Sequence, residues 1–343
     1  MMTKQGVKKE RVVVICPGRG TYTKETLGYL KKFRPAFSEF LNLMDEKRAA
    51  LGMPTLSELD NEPVFKPQMH TKGEHASSLI YACSYCDFLN LDPEKYEIVA
   101  VTGNSMGWYI ALAVAGVLNV HGAFEVINTM GSMMKDEIIG GQMIYPLVDD
   151  NWMIKQSNVD LVHAALKEVN LQPDCKAYIS IQLGGYAVIG GHQKALDFLL
   201  KKLPKTENYP FQLINHAAFH TPLLKQTSEK ARQILSKDLF HRPQIPLIDG
   251  RGHLWTEFAT SRDDIFNYTF QHQVVQPYDF TTAITVALKE FCPDRLVLLG
   301  PGNTLGGAIG QILVQNKWLQ ISAKSDFIEL QKENPFLISL GRP

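Results

Sequence analysis

The sequence predicts a mixed α/β fold in which a smaller unit is inserted into a larger one. Three observations lead to this fold class. An apolar, β-branched run over residues 11–16 ends in a Pro-Gly turn signal, which is typical of a buried strand in a parallel sheet. A second apolar run, over residues 98–102, leads through a small-residue turn into an Ala-rich helix. Between about residues 141 and 215 the elements become short and alternate, and longer elements return afterwards.

Residues 10–140 contain the first part of the larger unit. The strand over 11–16 and the turn at Pro17-Gly18-Arg19-Gly20 begin its first βα unit. After an irregular connection, the pattern predicts a helix over 76–91, a strand over 98–102 and helices over 108–117 and 123–135. Cys83 and Cys86 form a C-x-x-C on the first of these helices. Helix packing explains them better than a metal site or a redox pair, because no second ligand pair follows.

Residues 141–215 are predicted to form the insert. Their pattern predicts strands over 142–148, 177–182, 186–189 and 211–215, and helices over 159–169 and 192–203. The resulting order, β-α-β-β-α-β, is that of a ferredoxin-like unit.

The larger unit is predicted to resume over residues 216–320. Its elements there are helices over 222–236 and 280–291, strands over 245–249 and 295–299, and a last helix after residue 302. Residues 321–343 are predicted to be a C-terminal tail.

Composition and charge exclude several classes of protein. The chain has 343 residues, of which 45% are hydrophobic and 20% charged, as is ordinary for a globular protein with a sizeable core. Lys plus Arg equals Asp plus Glu at 35 each, so no global basic field would recruit nucleic acid or an anionic membrane. No apolar segment reaches about 18 residues, and residues 1–10 lack the apolar core of a signal peptide. We therefore expect a cytoplasmic protein with no nucleic-acid or membrane partner.

The pentapeptide Gly103-Asn104-Ser105-Met106-Gly107 is the strongest functional signal. It stands between a predicted strand and a predicted helix, the context in which a nucleophile elbow lifts a serine clear of the sheet. The flanking glycines permit the cramped backbone, and the amide of Met106 would lie at a helix N-terminus, where it can bind an oxyanion. Ser105 is therefore a candidate nucleophile. A purely structural turn explains the pentapeptide alone about equally well.

A nucleophilic serine needs a base, and His220 has the most suggestive setting among the histidines. It follows Ala217-Ala218-Phe219 and precedes Thr221-Pro222, where an apolar segment ends and a helix is predicted to begin. An imidazole at such an end can face a cleft, take the Ser105 proton and later protonate the leaving group. His216 competes for the role.

Four landmarks together carry a resemblance to a known family. They are Pro17-Gly18-Arg19-Gly20, the elbow around Ser105, the segment around His220 and Leu298-Leu299-Gly300-Pro301-Gly302. In this order and spacing they resemble the malonyl-CoA:acyl carrier protein transacylase family, which includes the acyltransferase domains of fatty acid and polyketide synthases. The resemblance covers residues 12–313. It implies an α/β-hydrolase-like larger subdomain over 10–140 and 216–320, with a ferredoxin-like insert over 141–215.

The resemblance also implies an activity, a ping-pong acyl transfer from acyl-CoA to the phosphopantetheine thiol of an acyl carrier protein. Ser105 and His220 would be catalytic, and no metal or redox cofactor would be needed. The oxyanion would be held by the backbone amides of Met106 and Arg19, where Arg19 replaces a glutamine of the family. A backbone carbonyl would orient His220, contributed by Gly250 or by one of residues 273–277.

Departures from the family pattern concern the acyl pocket, which we expect to be lined by Met130, Trp108, Phe219 and Asn104. Malonyl-specific relatives carry an arginine where this chain has Met130. An unpaired carboxylate buried beside a methionine would cost several kcal/mol, so a neutral acyl group is expected. The alternative is that another cation serves, because Arg19 faces the same region by resemblance.

Several functions therefore stay open at the level of sequence. The leading one is an acyl-CoA:acyl carrier protein acyltransferase of fatty acid or polyketide biosynthesis with a neutral acyl group. The alternatives are a true malonyltransferase, a hydrolase of acyl-carrier thioesters and an inactive scaffold. A basic patch at Lys194, Lys201, Lys202 and Lys205 could dock an acidic carrier protein, although a solvated helix face explains it at least as well.

Overall fold

The computed structural model describes residues 8–342, which form two β-sheets with helices packed against them. The first seven residues, on which part of the signal-peptide expectation rests, lie outside the described residues. Over 8–342, no helix is both long and apolar enough to cross a membrane.

The strands within residues 8–342 are labelled in chain order. They are β1 (Glu10–Cys16), β2 (Tyr96–Gly103), β3 (Gly141–Pro146), β4 (Ala177–Leu183), β5 (Tyr186–Gly191), β6 (Phe211–Gln212), β7 (Leu247–Ile248), β8 (Leu254–Trp255), β9 (Tyr278–Asp279), β10 (Arg295–Leu298) and β11 (Leu337–Ser339).

The α-helices are labelled in the same way. They are α1 (Arg34–Ala50), α2 (Leu56–Asp60), α3 (Pro67–His70), α4 (Gly73–Leu89), α5 (Gly107–Val114), α6 (Val120–Ser132), α7 (Gln156–Asn170), α8 (Gln193–Lys202), α9 (Lys225–Ile234), α10 (Arg262–Asn267), α11 (Gln273–Val275), α12 (Phe280–Phe291), α13 (Gly306–Gln315) and α14 (Lys324–Glu333). A π-helix, Tyr268–His272, joins α10 to α11.

The larger sheet has six strands in the order β11-β10-β1-β2-β7-β8. Its central strand, β1, pairs in parallel with both β2 and β10. Val12, Val13 and Val14 of β1 are fully buried, because helices cover both faces of the sheet. The turns that follow β1, β2 and β10 therefore meet at one edge, the carboxyl ends of parallel strands, where α/β proteins place their sites.

The smaller sheet has the order β6-β3-β5-β4-β9. Strands β3 to β6 are antiparallel and alternate with α7 and α8 in the predicted β-α-β-β-α-β sequence. Strand β6 is shorter than the predicted 211–215, since the chain leaves the sheet after Gln212 and Asn215 takes a left-handed φ of 56°. Strand β9 lies outside the predicted insert yet extends this sheet beside β4. The boundaries at 141 and 215 stay a prediction.

The predicted C-terminal tail is wrong for the described residues up to 342. Helix α14 and strand β11 lie within it, and β11 pairs in parallel with β10 as the edge strand of the larger sheet. Phe327, Phe336 and Leu337 from this segment are buried in the main core. The run of apolar residues is too short to predict a strand locally, and the free edge of β10 supplies the missing partner.

The cysteine-bearing helix is confirmed as a packing element. Helix α4 is buried along most of its length, and Cys83 and Cys86 lie in the main core. Burial raises the pKa of both thiols, to about 12 for Cys86, so neither is a ready thiolate near neutral pH.

The glycine at the start of α5 allows a close approach of the helix to β1. A Cβ at Gly107 would stand 2.2 Å from the carbonyl oxygen of Cys16, a backbone atom that has little freedom to move. We expect Gly107→Ala to lower the free energy of unfolding by about 1–3 kcal/mol or more, as overpacking does. The measurement is urea denaturation of the two proteins followed by circular dichroism.

Gly307 provides the matched control, since it also lies near the start of a helix, α13, but an added Cβ would meet nothing within 4 Å. Gly307→Ala should be neutral or stabilising by about 0.4–1 kcal/mol, because alanine lowers the entropy of the unfolded chain. Equal stabilities of the two variants would contradict the close contact at Gly107.

Candidate active site

The turn between β2 and α5 has the geometry of a nucleophile elbow. Ser105 has a left-handed φ of 56°, which is uncommon for a residue with a Cβ. The turn is closed by hydrogen bonds from the amide of Gly107 to the carbonyl of Asn104 (2.8 Å) and from that of Trp108 to the carbonyl of Ser105 (3.0 Å). Such strain persists only where the surrounding structure enforces it, and it occurs preferentially at functional sites.

The structure brings Ser105 and His220 together, although 115 positions separate them. Ser105 Oγ lies 2.7 Å from His220 Nε2. His220 is fully buried, and burial lowers the pKa of its imidazole to about 4. The ring is therefore neutral near pH 7, and Nε2 is in the state that accepts the serine proton.

Gln273 orients the imidazole of His220 through its backbone. His220 Nδ1 donates to the carbonyl oxygen of Gln273 at 2.5 Å, which sets the tautomer that leaves Nε2 free to accept. Of the carbonyls left open by the sequence, Gln273 is thus the partner. Gln273 follows directly on the π-helix Tyr268–His272, an irregular segment of a kind that is frequent at functional sites.

The side chain of Gln273 adds contacts that the sequence did not indicate. Its Nε2 donates to the carbonyl oxygen of Ser105 at 3.0 Å, and its Oε1 accepts from the hydroxyl of Tyr109 at 3.1 Å. Gln273 therefore holds the elbow and the histidine at the same time. The only available signal was that Tyr109 lies on the predicted helix that directly follows the elbow.

The two backbone amides predicted to bind an oxyanion are both available. Gly18 packs against the elbow so closely that a Cβ there would lie 2.7 Å from the carbonyl oxygen of Asn104. This contact brings the amide of Arg19 beside the elbow. In the described part of the chain, neither the amide of Met106 nor that of Arg19 has a hydrogen-bond acceptor.

An inner pocket opens at Ser105 and His220. Met130 and Phe219 line it, where the sequence predicts them to be. Arg19 lines it too, and so do four residues that the sequence analysis did not select: Ser77, Tyr109, Gly131 and Met134. Apart from Arg19, the wall of this pocket is mostly apolar.

A second, larger cavity also reaches Ser105. It runs between the smaller sheet, with Ile144, Ile181 and Val188 in its wall, and the start of α13. Asn104 lines this cavity and not the inner pocket, and its place in the acyl pocket stays a prediction. His216 lies here as well, with its Nδ1 beside the carbonyl oxygen of Ile214 (2.9 Å), and it is His220 that contacts Ser105.

The predicted place of Trp108 in the acyl pocket is wrong. Its side chain is fully buried and lines neither cavity. The indole Nε1 donates to Thr269 Oγ1 at 3.0 Å, and the ring makes an edge contact with Tyr268 at 5.1 Å between centroids. A buried indole needs an acceptor for its N–H, and the π-helix supplies one on the side away from the pocket.

Comparisons with known proteins find relatives of similar sequence. The malonyl-CoA-acyl carrier protein transacylase of Bacillus subtilis strain 168 is 24% identical over 243 residues, covering 68% of this chain and 71% of that protein. A non-reducing polyketide synthase of Aspergillus terreus is 22% identical over 325 residues. That match covers 91% of this chain but only 11% of the synthase. No family model matches the chain.

Solved structures give the same result for the fold. The malonyl-CoA:acyl carrier protein transacylase of Xanthomonas oryzae has a TM-score of 0.70 and 21% identity, covering 89% of this chain and 92% of that one. A malonyl-transacylase in complex with its type II polyketide synthase acyl-carrier protein also has a TM-score of 0.70 and 21% identity, with coverages of 89% and 93%.

In sequence and in fold, the chain is similar to transacylases, which are acyltransferases. The fold is that of the malonyl-CoA:acyl carrier protein transacylases. Its sequence is similar to theirs and to a segment of polyketide synthases, which confirms the resemblance carried by the four landmarks.

Proposed function

We propose that this chain transfers an acyl group from acyl-CoA to the phosphopantetheine thiol of an acyl carrier protein, in fatty acid or polyketide synthesis in the cytoplasm. The observation that carries the proposal is the 2.7 Å contact between Ser105 Oγ and His220 Nε2, with His220 Nδ1 on the carbonyl of Gln273. A neutral imidazole so oriented activates a serine as a nucleophile without a carboxylate partner.

In the first half-reaction, Ser105 Oγ attacks the thioester carbonyl carbon while its proton moves to His220 Nε2. The oxygen of the tetrahedral intermediate accepts hydrogen bonds from the amides of Met106 and Arg19, and each such donor is worth about 3–4 kcal/mol to the transition state. The C–S bond then breaks, and the CoA sulfur leaves with the proton from His220. An ester on Ser105 remains.

In the second half-reaction, the thiol of the carrier arm gives its proton to His220 Nε2. Its sulfur attacks the carbonyl carbon of the ester, the C–O bond to Ser105 breaks, and His220 returns the proton to Ser105 Oγ. Every proton that leaves one group is taken up by another, so the proposed cycle requires no metal and no redox cofactor.

The two cavities suit the two parts of the substrate. A pantetheine arm is long, amide-bearing and must reach the surface, so we assign it to the larger cavity between the smaller sheet and α13. The inner pocket is small, and we assign the acyl group to it. Ser105 lines both and lies where the thioester carbonyl would be.

The expected preference for a neutral acyl group rests on Met130. That residue lines the inner pocket, but the same pocket also contains Arg19. Met130 therefore does not by itself exclude an acyl group with a free carboxylate, and a malonyl group remains a candidate beside a neutral one.

A carrier protein as partner is part of this proposal. Two of the four lysines of the predicted basic patch make contacts within the chain, because Lys202 pairs with Glu168 at 2.8 Å and Lys194 donates to the carbonyl of Pro173 at 3.1 Å. These contacts favour the interpretation of that patch as a solvated helix face.

The proposal is tested by incubating the protein with acetyl-, propionyl-, malonyl- and succinyl-CoA and measuring the mass of the Ser105-containing peptide. Pantetheine and a purified bacterial holo acyl carrier protein are then added as acceptors. We expect an acyl-Ser105 adduct that disappears as the acceptor thiol is acylated. Release of free acid, without acylation of either thiol, would instead identify a hydrolase, and no adduct from any thioester would refute the proposal.

A further inference from the structure

We infer that Arg19 recognises a free carboxylate on the acyl group, from the loop that follows β1. The preferred substrate is then the thioester of a short dicarboxylic acid. This inference rests on the proposed function and adds the residue that binds the free carboxylate of the acyl group. Its basis is the place of Arg19 in the inner pocket, its hydrogen bonds and the absence, among the described residues, of a carboxylate oxygen within 4.0 Å of its guanidinium.

Arg19 reaches the wall of the inner pocket where α4 and α6 meet. Gly73 of α4 and Gly131 of α6 are in close contact, since a Cβ at Gly73 would stand 2.4 Å from the carbonyl oxygen of Gly131. The same Cβ would lie 3.7 Å from Arg19 Nη1. The guanidinium therefore lies close to the contact between Gly73 and Gly131, and Gly131 is next to Met130 in sequence. The positive charge at this wall comes from Arg19, in the loop that follows β1.

The hydrogen bonds of Arg19 hold the guanidinium in place but leave donors unused. Nη2 donates to the carbonyl oxygens of Thr71 (2.8 Å) and Asn215 (2.7 Å), which anchors the group from two sides. Nε is buried and has no partner, and Nη1 has none among residues 8–342. An anchored guanidinium with free N–H groups is preorganised for a carboxylate, whose geometry it matches.

The charge of Arg19 also lacks a partner within the described residues, since no carboxylate oxygen there lies within 4.0 Å of it. Burial lowers the pKa of Arg19 to about 10, and the nearby Glu74 opposes this, so the group stays protonated at neutral pH. A desolvated cation without an ion pair is unfavourable. A substrate carboxylate would relieve this cost, whereas an acetyl group would leave it in place.

The test compares Arg19→Met and Arg19→Lys with the unchanged protein in the acylation of Ser105 by malonyl-CoA and by acetyl-CoA. Both variants keep the backbone amide of residue 19, so the oxyanion donor is preserved. We expect Arg19→Met to lower kcat/KM for malonyl-CoA by about 30-fold or more, as loss of one partner of a buried charge pair does. For acetyl-CoA we expect a much smaller loss than for malonyl-CoA, because a neutral methyl group makes no ionic contact with residue 19.

The malonyl rate of Arg19→Lys should fall between those of the unchanged protein and of Arg19→Met. Lysine keeps the positive charge but cannot make the two parallel hydrogen bonds that a guanidinium makes to a carboxylate. Arg242→Met is the matched control, because Arg242 is exposed and lines neither cavity at Ser105. It should leave both rates unchanged.

Four results would overturn the inference. An equal loss with both thioesters would show that Arg19 only ties Thr71 to Asn215, or that it binds the pantetheine arm common to both substrates. An unchanged kcat/KM for malonyl-CoA in Arg19→Met would show that another group binds the carboxylate. Labelling of the native protein by acetyl-CoA but not by malonyl- or succinyl-CoA would refute this inference and leave the proposed function intact, whereas no labelling at all would refute both.

Discussion

Replacing Ser105 by alanine is expected to abolish the acyl-enzyme and to lower the transfer rate by about 10⁴-fold or more, the loss typical of a missing catalytic nucleophile. Ser105 Oγ is the atom that would form the ester, and the backbone amides cannot replace it. Alanine tolerates the left-handed φ of 56° about as well as serine, so the fold should persist. The measurements are the mass of the peptide that contains residue 105 and the rate of transfer to pantetheine.

Ser325→Ala is the matched control, since Ser325 is exposed near the start of α14. That variant should be acylated like the native protein. Acylation of Ser105→Ala at the native rate would show that the nucleophile is elsewhere, and the role of the elbow would have to be abandoned.

The second large effect is expected at His220, both on substitution and with pH. His220→Gln should lower the rate of Ser105 acylation by about 10²–10⁴-fold, the usual contribution of a general base. In the native protein, the pKa of His220 lies near 4, below the usual 6.5, because the ring is buried. The acylation rate should therefore be flat near neutral pH and fall only as the pH approaches about 4, where protonation removes the base.

The stability of the fold should also depend on pH through His220, and like the acylation rate it should fall as the pH falls. Because the pKa of His220 is depressed by folding, the folded state binds the proton less readily than the unfolded state. The neutral ring's contribution is fully present above about pH 6.5 and is lost as the pH falls toward about 4. Stopped-flow acylation from about pH 4 to 8, with urea denaturation at the same pH values, checks both. An acid limb near pH 6.5 in kcat/KM would contradict a buried neutral base.

Local patterns predicted those parts of the molecule that depend on neighbours in sequence. The elbow is one, because a strand, a small-residue turn and a helix are contiguous from β2 to α5. The insert is another, since its alternating elements each show their own periodicity. The predicted tail failed for the opposite reason, because β11 is stabilised by pairing with β10, about forty positions earlier.

By itself the sequence determined the elbow serine, the histidine that serves as its candidate base, the β-α-β-β-α-β insert and the resemblance to the transacylases. Each of these depends on residue types at short spacing. The tertiary structure decided which carbonyl orients His220, that Trp108 packs outside both cavities and that Arg19 lines the same pocket as Met130. These are relations between segments 50 to 200 positions apart, and side-chain direction and burial settle them only once the chain has packed.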